Sequence, residues 1–123
     1  MAVGDVRVLV VDDQEPFRRT MAVVVAETDG FAVVGTADSG ELSLDLADAL
    51  QPDLVLMDVH LPGIDGIEAT RRLTAAAHAP AVLLLSTYDE DELDYAACGA
   101  VGYVPKSAFG PDRLAAAWAA ATG

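Results

Sequence analysis

Apolar runs and helical spacings alternate along the whole chain. Val6-Arg7-Val8-Leu9-Val10-Val11 is rich in β-branched residues and predicts a strand. Phe31 to Ala37 predicts a second. Pro52-Asp53 introduces Leu54-Val55-Leu56-Met57-Asp58, an apolar run that reads as a strand buried on both faces, as in parallel sheets. Ala81-Val82-Leu83-Leu84-Leu85 repeats that pattern and ends on Ser86, and Val101 to Val104 is a brief fifth strand followed by Pro105-Lys106.

Helical spacing fills the intervals. Pro16 suits a first helical turn, after which Phe17, Met21, Val24 and Val25 share a face that excludes Arg18 and Arg19. Thr28-Asp29-Gly30 breaks this helix. Asp38 with Glu41 three residues on resembles a capping box for a second helix carrying Leu42, Leu46 and Leu50 on one side. A third starts near Gly66, with Ile67, Thr70, Leu73 and Ala77 inward and Glu68, Arg71 and Arg72 outward. A short acidic fourth helix runs roughly from Asp89 to Cys98 and ends at Gly99. Gly110-Pro111 introduces an alanine-rich last helix with Leu114 and Trp118 one turn apart. Regular strand–helix alternation implies a parallel sheet with helices on both faces.

The strand ends carry the chemistry. In a parallel sheet the C-terminal tips lie along one edge, where open α/β sheets place their sites. Strand one delivers Asp12 and Asp13, strand three Asp58, strand four Ser86, and strand five Lys106. An isolated strand-end aspartate is often just a turn former. Carboxylates gathered at one edge are different, because two unit charges about 5 Å apart repel by about 3 kcal/mol at an effective dielectric near 20. Such a cluster is tolerable if it holds a cation, and oxygen-only ligands suit Mg²⁺ better than zinc or copper. A hydroxyl and an ammonium opposite the metal would receive an anion, so the edge looks built for a phosphoryl group on Asp58.

Composition narrows this picture. A length of 123 residues fits one compact domain, long enough to bury a core unaided. The single cysteine, Cys98, excludes a disulfide framework and a cysteine metal cluster and suits a reducing compartment. No apolar run approaches the roughly 18 residues of a membrane span and no signal-peptide pattern opens the chain, so a cytoplasmic protein without membrane contact is expected. A net charge of -13, with scattered basic residues, argues against direct nucleic-acid contact, which needs clustered Lys and Arg.

Taken together, Val10-Val11-Asp12-Asp13, Pro52 to Asp58, the loop to Gly66, Ser86-Thr87 and Gly99-Ala100-Val101-Gly102-Tyr103-Val104-Pro105-Lys106 resemble the receiver domain of a two-component response regulator. Gly66-Ile67-Glu68-Ala69-Thr70 and Pro105-Lys106-Ser107 look most like the NarL/LuxR class. The resemblance implies a (βα)₅ flavodoxin-like fold with strand order 2-1-3-4-5, a single receiver domain over residues 1–123, and no output domain within them. It implies Asp58 as phosphoacceptor. Asp12, Asp13, Asp58 and the His60 backbone carbonyl become ligands of Mg²⁺ (or Mn²⁺). Ser86 and Lys106 become the phosphoryl-binding pair and Tyr103 the switch aromatic. By the same resemblance, His60 and Tyr88 match the two positions beside the acyl phosphate that would tune its hydrolysis. The implied partners are a sensor histidine kinase and, on phosphorylation, a second copy of the chain. The implied switch is the surface of helix four, strand five and the last helix, controlling transcription through a C-terminal helix-turn-helix domain. The implied activity is autocatalytic phosphorylation and slow self-dephosphorylation, not enzymatic turnover.

Two departures stand out. Ser107 follows the lysine where many receivers have proline, and the Ser86–Lys106 segment is shorter than in familiar receivers, the loss falling in the acidic fourth helix. Three rival classes make distinct demands. A flavodoxin needs a phosphate cradle where Asp12-Asp13-Gln14-Glu15 would repel the anion. An aspartyl phosphatase needs a second acid where His60 stands. A binding module that is never phosphorylated has no use for the acid–hydroxyl–lysine set.

Overall fold

A computed structural model of the chain describes residues 4–87 and 95–122. Five strands, β1 (Val6–Val11), β2 (Phe31–Ala37), β3 (Leu54–Asp58), β4 (Ala81–Ser86) and β5 (Gly102–Pro105), form one sheet in the order β2-β1-β3-β4-β5. All pairings are parallel. The helices are α1 (Glu15–Ala26), α2 (Gly40–Leu50), α3 (Gly66–Thr74) and α4 (Pro111–Thr122). This is the flavodoxin-like receiver fold expected from the motifs.

Two cores explain why β1, β3 and β4 are apolar on both sides. Leu9, Val11, Val55, Met57, Val82 and Leu84 face α2 and α3, packing with Ala69, Leu73, Leu44 and Leu46. The alternate residues, Val8, Val10, Leu54, Leu56, Leu83 and Leu85, pack with Met21, Val25 and Leu114 beneath α1 and α4. Period-two alternation thus feeds two layers at once. Trp118 closes the second core, edge-on to Phe31 with ring centroids 6.5 Å apart.

Several boundaries differ from the sequence expectation. The cap of α2 is Ser39, whose hydroxyl accepts from the Leu42 amide at 3.0 Å, so no capping box forms on Asp38. That leaves Leu42 exposed and puts Gly40 and Ser43 in the buried positions. Helix α3 ends at Thr74, whose hydroxyl turns back onto the Thr70 carbonyl; Ala77 lies beyond it, exposed. Strand β5 begins one residue late: Val101 is exposed, although its amide already donates to the Val82 carbonyl. Pro105 can end β5 because this is an edge strand, where a missing donor is tolerated. Of the expected acidic helix, only Tyr95–Cys98 is described, as a 3-10 turn; its acidic part lies outside the described residues.

Candidate functional site

Register brings the strand tips together. Val11 pairs with Met57, so Asp12 and Asp58 leave their strands side by side. Asp58 pairs with Leu85, one residue before Ser86, and Ser86 pairs with Pro105, one before Lys106. One carboxylate oxygen from each of Asp12, Asp13 and Asp58 lies within 4.8 Å of the others. Lys106 reaches in from the far side: its Nζ is 2.6 Å from Asp12 Oδ2 and 3.5 Å from Asp58 Oδ1.

Burial differs among the acids. Asp12 is fully buried, Asp58 is 4% exposed, and Asp13 is open to solvent. Asp12 Oδ1 accepts from the Gln14 amide at 2.9 Å. Its Oδ2 has the lysine beside it but no donor in hydrogen-bonding geometry. An ion contact without a directed hydrogen bond leaves that oxygen's lone pairs available. Asp58 Oδ1 accepts from the His60 amide at 3.3 Å. Burial, then the Asp12 charge, pushes the Asp58 carboxyl up to about 6, and Asp13 adds to this; Lys106 and the His60 amide oppose it.

The donor set fits a hard divalent cation. Three carboxylates and one ammonium sum to a formal charge of -2, and every candidate ligand is oxygen, as hard divalent cations prefer. The acidic cluster could therefore hold a metal ion.

The loop after β3 is fixed by close approach. A Cβ on Gly66 would collide with the Asp58 carbonyl oxygen, so α3 starts directly against the strand that carries Asp58. Asp65 caps α3 by accepting from the Glu68 amide at 2.8 Å. Gly63 has φ +75° and lies against the Glu41 carboxylate, which also accepts from the Ile64 amide at 3.2 Å. Hydrogen bonds from its own backbone amide, first, and from the Ile64 amide hold the Glu41 carboxyl below its ordinary value. Glu41, expected in a helix cap, instead ties α2 to this loop.

Of the other expected residues, Ser86 is fully buried at the end of β4. Tyr103 is half-buried against the core under α2 and α3, and the His60 side chain is exposed. Tyr88 lies outside the described residues. Two contributors were not legible as site residues. Phe17, placed by spacing in the core stripe of α1, is 37% exposed, with its ring centroid 4.2 Å from Lys106 Nζ. Arg18 donates to the Asp12 carbonyl at 2.9 Å. Their one available signal was position, since both fall in the first turn after the Asp12-Asp13 tip.

Fold and site together define a parallel α/β domain with an acidic, lysine-faced cluster at its carboxyl edge that could hold a cation. The model of the response regulator receiver domain matches residues 8–119, and the chain belongs to that family. It is 46% identical over 105 residues to response regulator GacA of Pseudomonas viridiflava, covering 84% of this chain and 49% of that protein. It is 40% identical over 100 residues to the positive alginate biosynthesis regulatory protein of Pseudomonas aeruginosa, covering 80% of this chain and 40% of the relative. Among solved structures, the receiver domain of the putative response regulator NarL from Mycobacterium tuberculosis superposes with a TM-score of 0.87. The identity is 31%, with 97% of this chain and 98% of that one covered. The chain spans about half the length, or less, of these two relatives.

Proposed function

We propose that Asp58 is the phosphoacceptor of this receiver domain, with Asp12, Asp13, Asp58 and the His60 carbonyl as the ligands of Mg²⁺ or Mn²⁺. The observation carrying this is the buried Asp58 carboxylate held beside Asp12 and within 3.5 Å of the Lys106 ammonium. The Asp58 carboxylate attacks the phosphorus of a phosphohistidine on a sensor kinase. The phosphorus–nitrogen bond breaks as the new phosphorus–oxygen bond forms. Lys106 neutralises the incoming oxygens and the Ser86 hydroxyl donates to one of them. A divalent cation held by Asp12, Asp13 and Asp58 would add charge stabilisation for the transferring group.

The acyl phosphate adds about -1.5 to -2 charge and three acceptors. Ser86 moves toward it and Tyr103 turns inward, biasing the surface of the segment before β5, β5 itself and α4. The likeness to the NarL receiver, with the Gly66–Thr70 and Pro105–Ser107 motifs, supports the NarL/LuxR class. The likeness to the alginate regulator supports transcription as the output, reached through a helix-turn-helix domain outside residues 1–123, which form one receiver domain. Pairing with a second copy follows phosphorylation. The domain itself makes no DNA contact, given its charge of -13, and works in the cytoplasm. It turns over only its own phosphoryl group.

Intact mass after acetyl phosphate tests the reading. The wild type gains one phosphoryl group only with Mg²⁺ present, and Asp58→Asn gains none. Equal labelling of the variant removes Asp58 from its role.

A further inference from the structure

Lys106 is 7% exposed at its side chain, yet it comes from the end of an edge strand. Asp12 and Asp58 account for one side of the ammonium. The Phe17 ring, 4.2 Å from Nζ, accounts for another. An aromatic face carries negative charge density, and a cation over it is attracted, the more so when water is excluded.

From this contact we infer that Phe17 is a positioning residue for Lys106, holding its ammonium over the Asp12–Asp58 pair through the ring face. Helix α1 is well placed to do this. Its first turn is tied to Asp12 twice more, through the Gln14 amide on Oδ1 and the Arg18 guanidinium on the carbonyl. Asp12, Phe17 and Lys106 therefore form one unit. The ring adds no proton donor or ligand of its own; it confines a flexible four-carbon chain to the place where transferred oxygens arrive. Exposure of Phe17 at 37% is high for a core residue on a helix, so removing its ring leaves the core intact.

The chemical consequence rests on Asp58 being the phosphoacceptor, but the contact can be read without it. Lys106 is the only lysine in the chain, so lysine labelled with ¹³C at Cε gives a single methylene signal. In the wild type the ring should shift that signal upfield. Phe17→Leu, which keeps apolar bulk, should return it to the position of free lysine, and Phe17→Tyr should keep it upfield. With acetyl phosphate and saturating Mg²⁺, the maximal labelling rate of Phe17→Leu should fall about fivefold, equivalent to about 1 kcal/mol of barrier. Phe17→Tyr should restore it. Circular dichroism and urea melts on each variant establish that they are folded. A wild-type signal already at the free position overturns the inference. So does a Phe17→Leu rate equal to wild type, or equal slowing in the leucine and tyrosine variants. If the wild type itself takes no phosphoryl group while its lysine signal is upfield, the phosphoacceptor reading fails and the ring contact stands.

Discussion

Asp58→Asn should make the protein more stable, and the gain should depend on pH. Burial and the neighbouring Asp12 charge push the Asp58 carboxyl up to about 6 from the ordinary 3.8. Between those values the folded protein retains a proton that the unfolded chain has released. Stability therefore falls as pH rises through that window, and the unfavourable contribution is complete above about pH 6. The full difference corresponds to about 3 kcal/mol. The site lies at the sheet edge beside solvent-exposed Asp13, so screening reduces this to about 1–2 kcal/mol. Asparagine keeps the shape and removes the charge, while Lys106 retains its closer partner, Asp12 at 2.6 Å. Urea melts without divalent cation should show the variant more stable by about 1–2 kcal/mol at pH 7.5, and by about a third of that at pH 4.5. A loss of stability at pH 7.5, or the same gain at both pH values, would refute the reasoning.

Lys106→Met leaves the fully buried Asp12 carboxylate without its cation and should lower stability by about 3 kcal/mol at neutral pH; millimolar Mg²⁺ should recover part of that in the same urea melts. Gly66→Ala drives a methyl into the Asp58 carbonyl. It should lower the melting stability by about 1–3 kcal/mol and slow acetyl-phosphate labelling, since the strand tip carrying Asp58 must move. His60→Asn combined with Tyr88→Ala should speed decay of the phosphorylated form about tenfold, or about 1.4 kcal/mol of barrier, if the two rings narrow the approach of the hydrolytic water. Unchanged decay, followed by intact mass over time, would show that they do not.

Much of this was legible because strands bury or expose residues by simple alternation. Once β1, β3 and β4 are read as parallel, Asp12, Asp58, Ser86 and Lys106 must leave at one edge, and the register then brings them together. Helix details were less legible, for physical reasons. Ser39 and Asp38 are both good caps, and only the backbone entering α2 selects Ser39. Glu41 was then free of a capping role and reached the Ile64 amide, 23 residues away, a contact that no local spacing encodes. Phe17 fits the i, i+4 stripe with Met21, yet α1 overhangs the sheet edge at its first turn. The same face that is core at Met21 and Val25 is site at Phe17.

That overhang has a consequence for how the site is built. The sheet supplies the positions of Asp12, Asp58 and Lys106, but register alone leaves their charges in conflict. Burial does most to raise the Asp58 carboxyl, and the Asp12 charge beside it raises it further. Helix α1 relieves part of it through Asp12, engaging one carboxylate oxygen with the Gln14 amide and the carbonyl with Arg18, while Phe17 holds the compensating lysine in place. The remaining negative charge is what a divalent cation would neutralise. Removing the Asp58 charge from this edge should therefore stabilise the fold, whereas loss of Lys106 should destabilise it. A domain whose acids served only to cap turns would show neither response.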